Sequence, residues 1–195
     1  MKRLLPVLCL GLAATPALAH LPHGQYGSVA AGFSHPLFGL DHILAMITVG
    51  LWASLLGGGA IWAVPAAFVA VMIAGFGLAL TGVSLPLVEP MILASIVVLG
   101  LVVAMAVRLD VRTCAAIVAV FALFHGFAHG TELGGAGSLR FGTGFVLATV
   151  LLHAVGVAVG LAAALIARRG DARGRVVTRG LGAGAALAGV ALAFG

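Results

Sequence analysis

Two short stretches of an otherwise apolar chain carry side chains able to do chemistry. The first runs His35-Pro36-Leu37-Phe38-Gly39-Leu40-Asp41-His42, the second Phe124-His125-Gly126-Phe127-Ala128-His129-Gly130-Thr131-Glu132. Each adjoins or enters a long apolar run. Ionisable groups at membrane depth are expensive, so their default reading is functional. Imidazole nitrogens together with carboxylate oxygens make a donor set for a first-row divalent ion. His35, Asp41, His42, His125, His129 and Glu132 are therefore the candidate metal ligands.

Helix geometry constrains which of them can meet. At ~100° per residue, His129 lies ~40° from His125 and Glu132 about −20° from it. Those three form one face, at i, i+4 and i+7. His35 and His42 are seven apart and would share a face of a regular helix. Asp41 would then point ~100° away from His42. Two readings stay open: Asp41 stands behind the site and fixes a histidine tautomer, or the helix is irregular here. Pro36 and Gly39 favour irregularity, and broken helices beside polar sites recur in transporters.

Secondary candidates surround this set. Met46, one turn beyond His42, offers a thioether, against the plainer role of filling an apolar gap. His153 falls within a later apolar run as either a relay point or a histidine bonded to a neighbouring helix. Glu89 precedes Pro90 at the start of another run, as an interfacial or entrance carboxylate. His20 and His23 precede the first run, where an α-amine and an imidazole together would chelate a transition metal.

The elements that must position these residues are helices in a membrane. Of 195 residues 63% are hydrophobic and 8% charged, whereas soluble domains run near 25% charged. The mean hydropathy is +1.26. Residues 1–19 read as a cleaved secretory signal: Lys2 and Arg3, a short apolar core, then Ala17-Leu18-Ala19. Residues 20–34 are polar enough to lie outside. Six apolar segments follow at about 36–56, 60–80, 87–107, 113–132, 143–167 and 178–194, each near the ~20 residues that cross a bilayer core. The expectation is an all-α integral membrane protein, a compact bundle of six transmembrane helices formed by residues 20–195.

Arginine sets the orientation. Seven of the ten basic residues lie in two stretches, Arg108–Arg112 and Arg168–Arg179, as cytoplasmic loops do under the positive-inside rule. Both mature termini then face the periplasm, and both polar stretches fall toward the outer side of the inner membrane. The same clustering explains the net charge of +5 without nucleic acid as a partner. Asp110 reads as solvated among the loop arginines. With Cys9 in the leader, Cys114 is left alone, a small buried residue. Gly156-x-x-x-Gly160 and Gly180-x-x-x-Gly184 suit close helix contacts, within the chain or between copies in a homo-oligomer.

The two stretches resemble the paired signatures of the HupE/UreJ family. His35-Pro-x-x-Gly39-x-Asp41-His42, continued by Met46 and Val49-Gly50-x-Trp52, resembles its first motif. Phe124-His125-Gly126-x-Ala128-His129-Gly130-x-Glu132 resembles its second. The resemblance spans essentially the whole chain. It implies a nickel permease, with cobalt as the alternative cargo, serving maturation of a hydrogenase or urease. It also implies that the six candidate ligands handle the metal. No prosthetic group is expected, since Ni²⁺ (or Co²⁺, Cu²⁺, Zn²⁺) is cargo, and membrane lipid is the surrounding partner. The sequence has no G-x-x-x-x-G-K-[ST] loop for ATP. Two rivals use the same residues: a membrane-embedded zinc hydrolase with Glu132 as base, and a metal sensor or chaperone that does not transport.

Overall fold

A computed structural model describes residues 27–133, 137–168 and 173–195. Among the described residues every regular element is an α-helix: α1 (Val29–Phe38), α2 (Leu40–Leu56), α3 (Ala60–Ala79), α4 (Val88–Ala104), α5 (Val111–Leu133), α6 (Ser138–Arg168) and α7 (Arg173–Phe194). The leader, His20 and His23 lie outside the described residues.

Among the described residues, four helices are long and apolar enough to cross a membrane: α3, α5, α6 and α7. α1 and α2 qualify together as a pair bent by 85°. The chain is thus a multi-pass membrane protein, all-helical among the described residues, which hold four span candidates, or up to five if the bent pair counts as one. α4 covers the expected third segment but has only 17 residues. Its end is set by Ala106 in the left-handed region (φ 53). There Val107 N–H reaches the Val102 carbonyl (2.8 Å) and Ala106 N–H the Val103 carbonyl (3.0 Å), a Schellman ending in which the usual glycine is replaced by alanine. Large apolar side chains point outward on several helices, including Trp62, Leu165 and Leu187, as lipid-facing surfaces require.

Two local features before the first span and in a loop add to these expectations. The stretch placed outside the membrane at residues 20–34 is already helical from Val29. Ser28 caps this helix by accepting from Ala31 N–H at 3.0 Å. Asp110 is exposed, as expected, but it caps α5: Oδ1 accepts from Arg112 N–H (3.0 Å) and Thr113 N–H (3.1 Å). The hydrogen bonds from Thr113 hold its carboxyl below the usual carboxylate range.

Three helix pairs form the bundle, α3 with α5, α2 with α6, and α4 with α7, and each closes over glycine. A Cβ on Gly126 would overlap the Met72 carbonyl, and one on Gly50 the His153 carbonyl. Small residues let backbones approach this closely. Gly160 packs against Ser54 of α2, whereas Gly180 and Gly184 face open space and Gly182 makes the α7 contact instead. Trp52, Phe68, Met46, Met72 and Leu99 fill the core between the pairs.

The bundle has two chemically different ends. At one, Trp52 Nε1 donates to the Val107 carbonyl (3.0 Å) and Arg179 Nε to the Ala104 carbonyl (2.7 Å). This joins the end of α2, the end of α4 and the start of α7 at the arginine-rich side. The other end holds the start of α2, the end of α5 and the start of α6, and with them both polar stretches.

Candidate metal site

The bend between α1 and α2 builds half of the site. Pro36 supplies no N–H to α1, and Gly39 is extended (φ −84, ψ 110). The chain therefore turns by 85° between His35 and His42. The two histidines do not share a regular helix face, as their spacing suggested. They approach from two helices, with ring centroids 6.4 Å apart. Asp41 is two residues past Gly39, in the first turn of α2, and its Oδ1 lies 2.9 Å from His42 Nδ1. The helix breaks here, and the Asp41 carboxylate stands beside the His42 ring.

The other half is a regular helix. α5 presents His125, His129 and Glu132 on one face. Gly126 and Gly130 seat that helix against the Met72 and Phe76 carbonyls of α3. His125 and His129 are buried, while the Glu132 side chain is 54% exposed. Glu132 Oε2 lies 3.3 Å from His35 Nε2 and 3.4 Å from His129 Nδ1. Donor atoms of His35, His129 and Glu132 all fall within 4.8 Å of one another. On its far side His129 Nε2 faces His42 Nε2 at 2.5 Å. His125 continues the series, its ring 5.1 Å from that of His42.

Tautomer accounting gives this arrangement its chemical meaning. A neutral imidazole has one N–H and one lone pair. In the tautomers that let Asp41 accept from His42 Nδ1–H (2.9 Å) and Glu132 from His129 Nδ1–H (3.4 Å), both Nδ1 atoms carry the proton. Each Nε2 is then left with a lone pair, and the two lone pairs point at each other. That is favourable only when a proton or a metal cation is shared between them. Two nitrogens on one tetrahedral ion stand ~3.3 Å apart for bonds of 2.0–2.1 Å, so a small outward motion of either ring would admit one. A carboxylate behind each histidine is also the usual partner of a metal-binding imidazole.

The comparisons agree with the motifs. Residues 8–192 match the model of the family described as HupE / UreJ protein. The chain belongs to the HupE/UreJ family. It is 46% identical over 188 residues to Protein HupE of Rhizobium leguminosarum bv. viciae, covering 95% of each chain. No solved structure matches it.

Other candidates in this HupE/UreJ chain sit apart from the cluster. Met46 is fully buried in the apolar core, the position of a packing residue. Glu89 is exposed in the first turn of α4. His153 is buried in α6 and touches Phe68 edge-on (5.1 Å).

Three residues that line the HupE/UreJ cluster had no distinguishing signal in the sequence. Ser95 of α4 lies 3.0 Å from His125 Nε2. Phe145 of α6 packs on His129 (4.2 Å) and Phe141 on His35 (5.7 Å). A serine or phenylalanine inside an apolar helix is ordinary, so only the packing reveals them.

Proposed function

We propose that this protein is a permease moving Ni²⁺, with Co²⁺ as the alternative cargo, across a bacterial inner membrane toward the cytoplasm. There it would supply the maturation of a hydrogenase or a urease. The reading rests on one observation: two buried imidazoles aim their Nε2 atoms at each other, each backed by a carboxylate. Family membership and the lipid-facing exterior support it.

Glu132 and His35 stand at the exposed mouth and meet the hydrated ion first. His129 stands between the two positions, its Nδ1 beside Glu132 at the mouth and its Nε2 toward His42. With Nδ1–H held by Glu132, its Nε2 lone pair can draw the ion from the charged, partly solvated mouth to the buried position beside His42. Histidine and carboxylate donors replace the water the ion loses. Fixed donors in a narrow path bind strongly enough to admit an ion and loosely enough to release it. The arginine-rich end, opposite the mouth, would face the cytoplasm, leaving both mature termini periplasmic.

Accumulation of radioactive nickel by cells or sealed vesicles containing the protein tests the reading. Uptake above that of protein-free controls is expected, with Co²⁺ competing. Binding of nickel without accumulation would overturn transport and assign a sensor or chaperone instead.

A further inference from the structure

The outer cluster leaves several polar groups deeper in the bundle without a role. His153 is buried midway along α6, and neither of its ring nitrogens has a hydrogen-bond partner. The Nδ1 atom of His125 is also buried and unpartnered. Leaving buried polar atoms unmade is costly, and a leucine would fill the same space without that cost. Nearly every buried imidazole nitrogen finds a partner, so three idle ones call for an occupant that comes and goes.

Their placement continues the line of the outer site. The rings of His129, His42 and His125 follow one another at 4.5 Å and 5.1 Å. Phe68 of α3 then touches both His125 (5.7 Å) and His153 (5.1 Å). On α6, Phe145 marks the level of His129. His153 is eight residues further on, ~12 Å deeper at 1.5 Å per residue. Thr149, one turn before His153, is also buried, and its hydroxyl reaches Met72 Sδ at 3.6 Å.

The geometry points to an inner station for a first-row divalent cation, between His125 Nδ1 and the one ring nitrogen of His153 that carries a lone pair. This deepens the permease reading and rests on it. Its ligands are neutral imidazoles, whereas Asp41 and Glu132 lend the outer site negative charge. The inner station therefore holds a cation less tightly and only in passage, keeping part of its water. A second, weaker stop splits the passage into steps and lets the cation leave the site it entered.

The test compares wild type with His153→Leu and His153→Met in proteoliposomes, with Ni²⁺ as the probe. Uptake kinetics and equilibrium Ni²⁺ binding are both measured. For His153→Leu the maximal rate should fall by about tenfold or more, while KM and equilibrium affinity stay within about twofold, the signature of a step after entry. Thermal stability should be equal to or above wild type, because an unpartnered polar group has been removed. His153→Met keeps a soft ligand and should recover part of the rate. Wild-type uptake rates in His153→Leu would overturn the inner station while leaving the permease reading intact. Loss of equilibrium binding together with rate would also overturn it, since His153 would then belong to the outer site or to folding. Should His153→Leu not insert, His153→Met alone decides by the same split between rate and affinity. Absence of uptake by wild type itself would instead overturn the permease reading, and the station with it.

Discussion

His42 Nε2 and His129 Nε2 face each other at 2.5 Å across the contact between α2 and α5. Eighty-seven residues separate them in sequence, and each carries a carboxylate at its other nitrogen, Asp41 for His42 and Glu132 for His129. The pair joins the broken entry helix to the one regular helix that presents two histidines.

Asp41 acts through His42 in this account. Removing the carboxylate frees the ring to rotate and to change tautomer. Asp41→Ala should lower Ni²⁺ affinity by roughly 10–100-fold, the usual cost of losing such a partner. Membrane insertion should be unchanged. Titration calorimetry on purified protein measures the affinity, and wild-type affinity would remove Asp41 from the site.

Gly39 holds the bend without needing a positive φ, so alanine can adopt its backbone. The added Cβ, however, would stand 2.8 Å from Asp41 Oδ1 and 3.0 Å from His42 Nδ1. Gly39→Ala should therefore leave the fold intact and push the carboxylate away from the ring. Nickel uptake should fall several-fold, toward the Asp41→Ala level, with little change in melting temperature. A variant that melts early and also loses uptake would place the role of Gly39 in the fold.

Met46 is enclosed by the apolar core. Met46→Leu roughly conserves volume, and such swaps usually cost under ~1.5 kcal/mol. Uptake should match wild type. A large fall in uptake with normal stability would show that the thioether contacts the ion.

Ala106 ends α4 in a conformation that favours glycine (φ 53). A left-handed residue with a Cβ costs roughly 1–2 kcal/mol, and glycine's extra freedom in the unfolded chain offsets part of that gain. Ala106→Gly should raise thermal stability modestly, by up to about 1 kcal/mol. The site lies at the opposite end of the bundle, so uptake should not change. A lowered melting temperature would contradict the strained ending.

Much of this arrangement was legible in the sequence because it depends on local periodicity and on charge. The i, i+4, i+7 spacing of His125, His129 and Glu132 placed them on one helix face. The arginine distribution put both polar stretches at one end, where they meet. Pro36 and Gly39 announced an irregular first helix. The 85° bend could not be read, because its size is fixed by α1 packing across α6. The length of α4 was also hidden, since its apolar run continues past Ala104 and only the turn at Ala106 stops it. Asp110 looked like one charge among arginines, whereas its backbone position, just ahead of α5, made it a cap. Ser95 and Phe145 are chemically unremarkable in an apolar helix and become neighbours of the cluster only through tertiary contact.

The central claim is that His42 and His129 share one ion. X-ray absorption at the nickel edge counts the imidazoles bound to Ni²⁺ in the purified protein. At least two are predicted in the wild type, with one fewer in His42→Ala and one fewer in His129→Ala. An unchanged imidazole count in either variant would contradict the shared site.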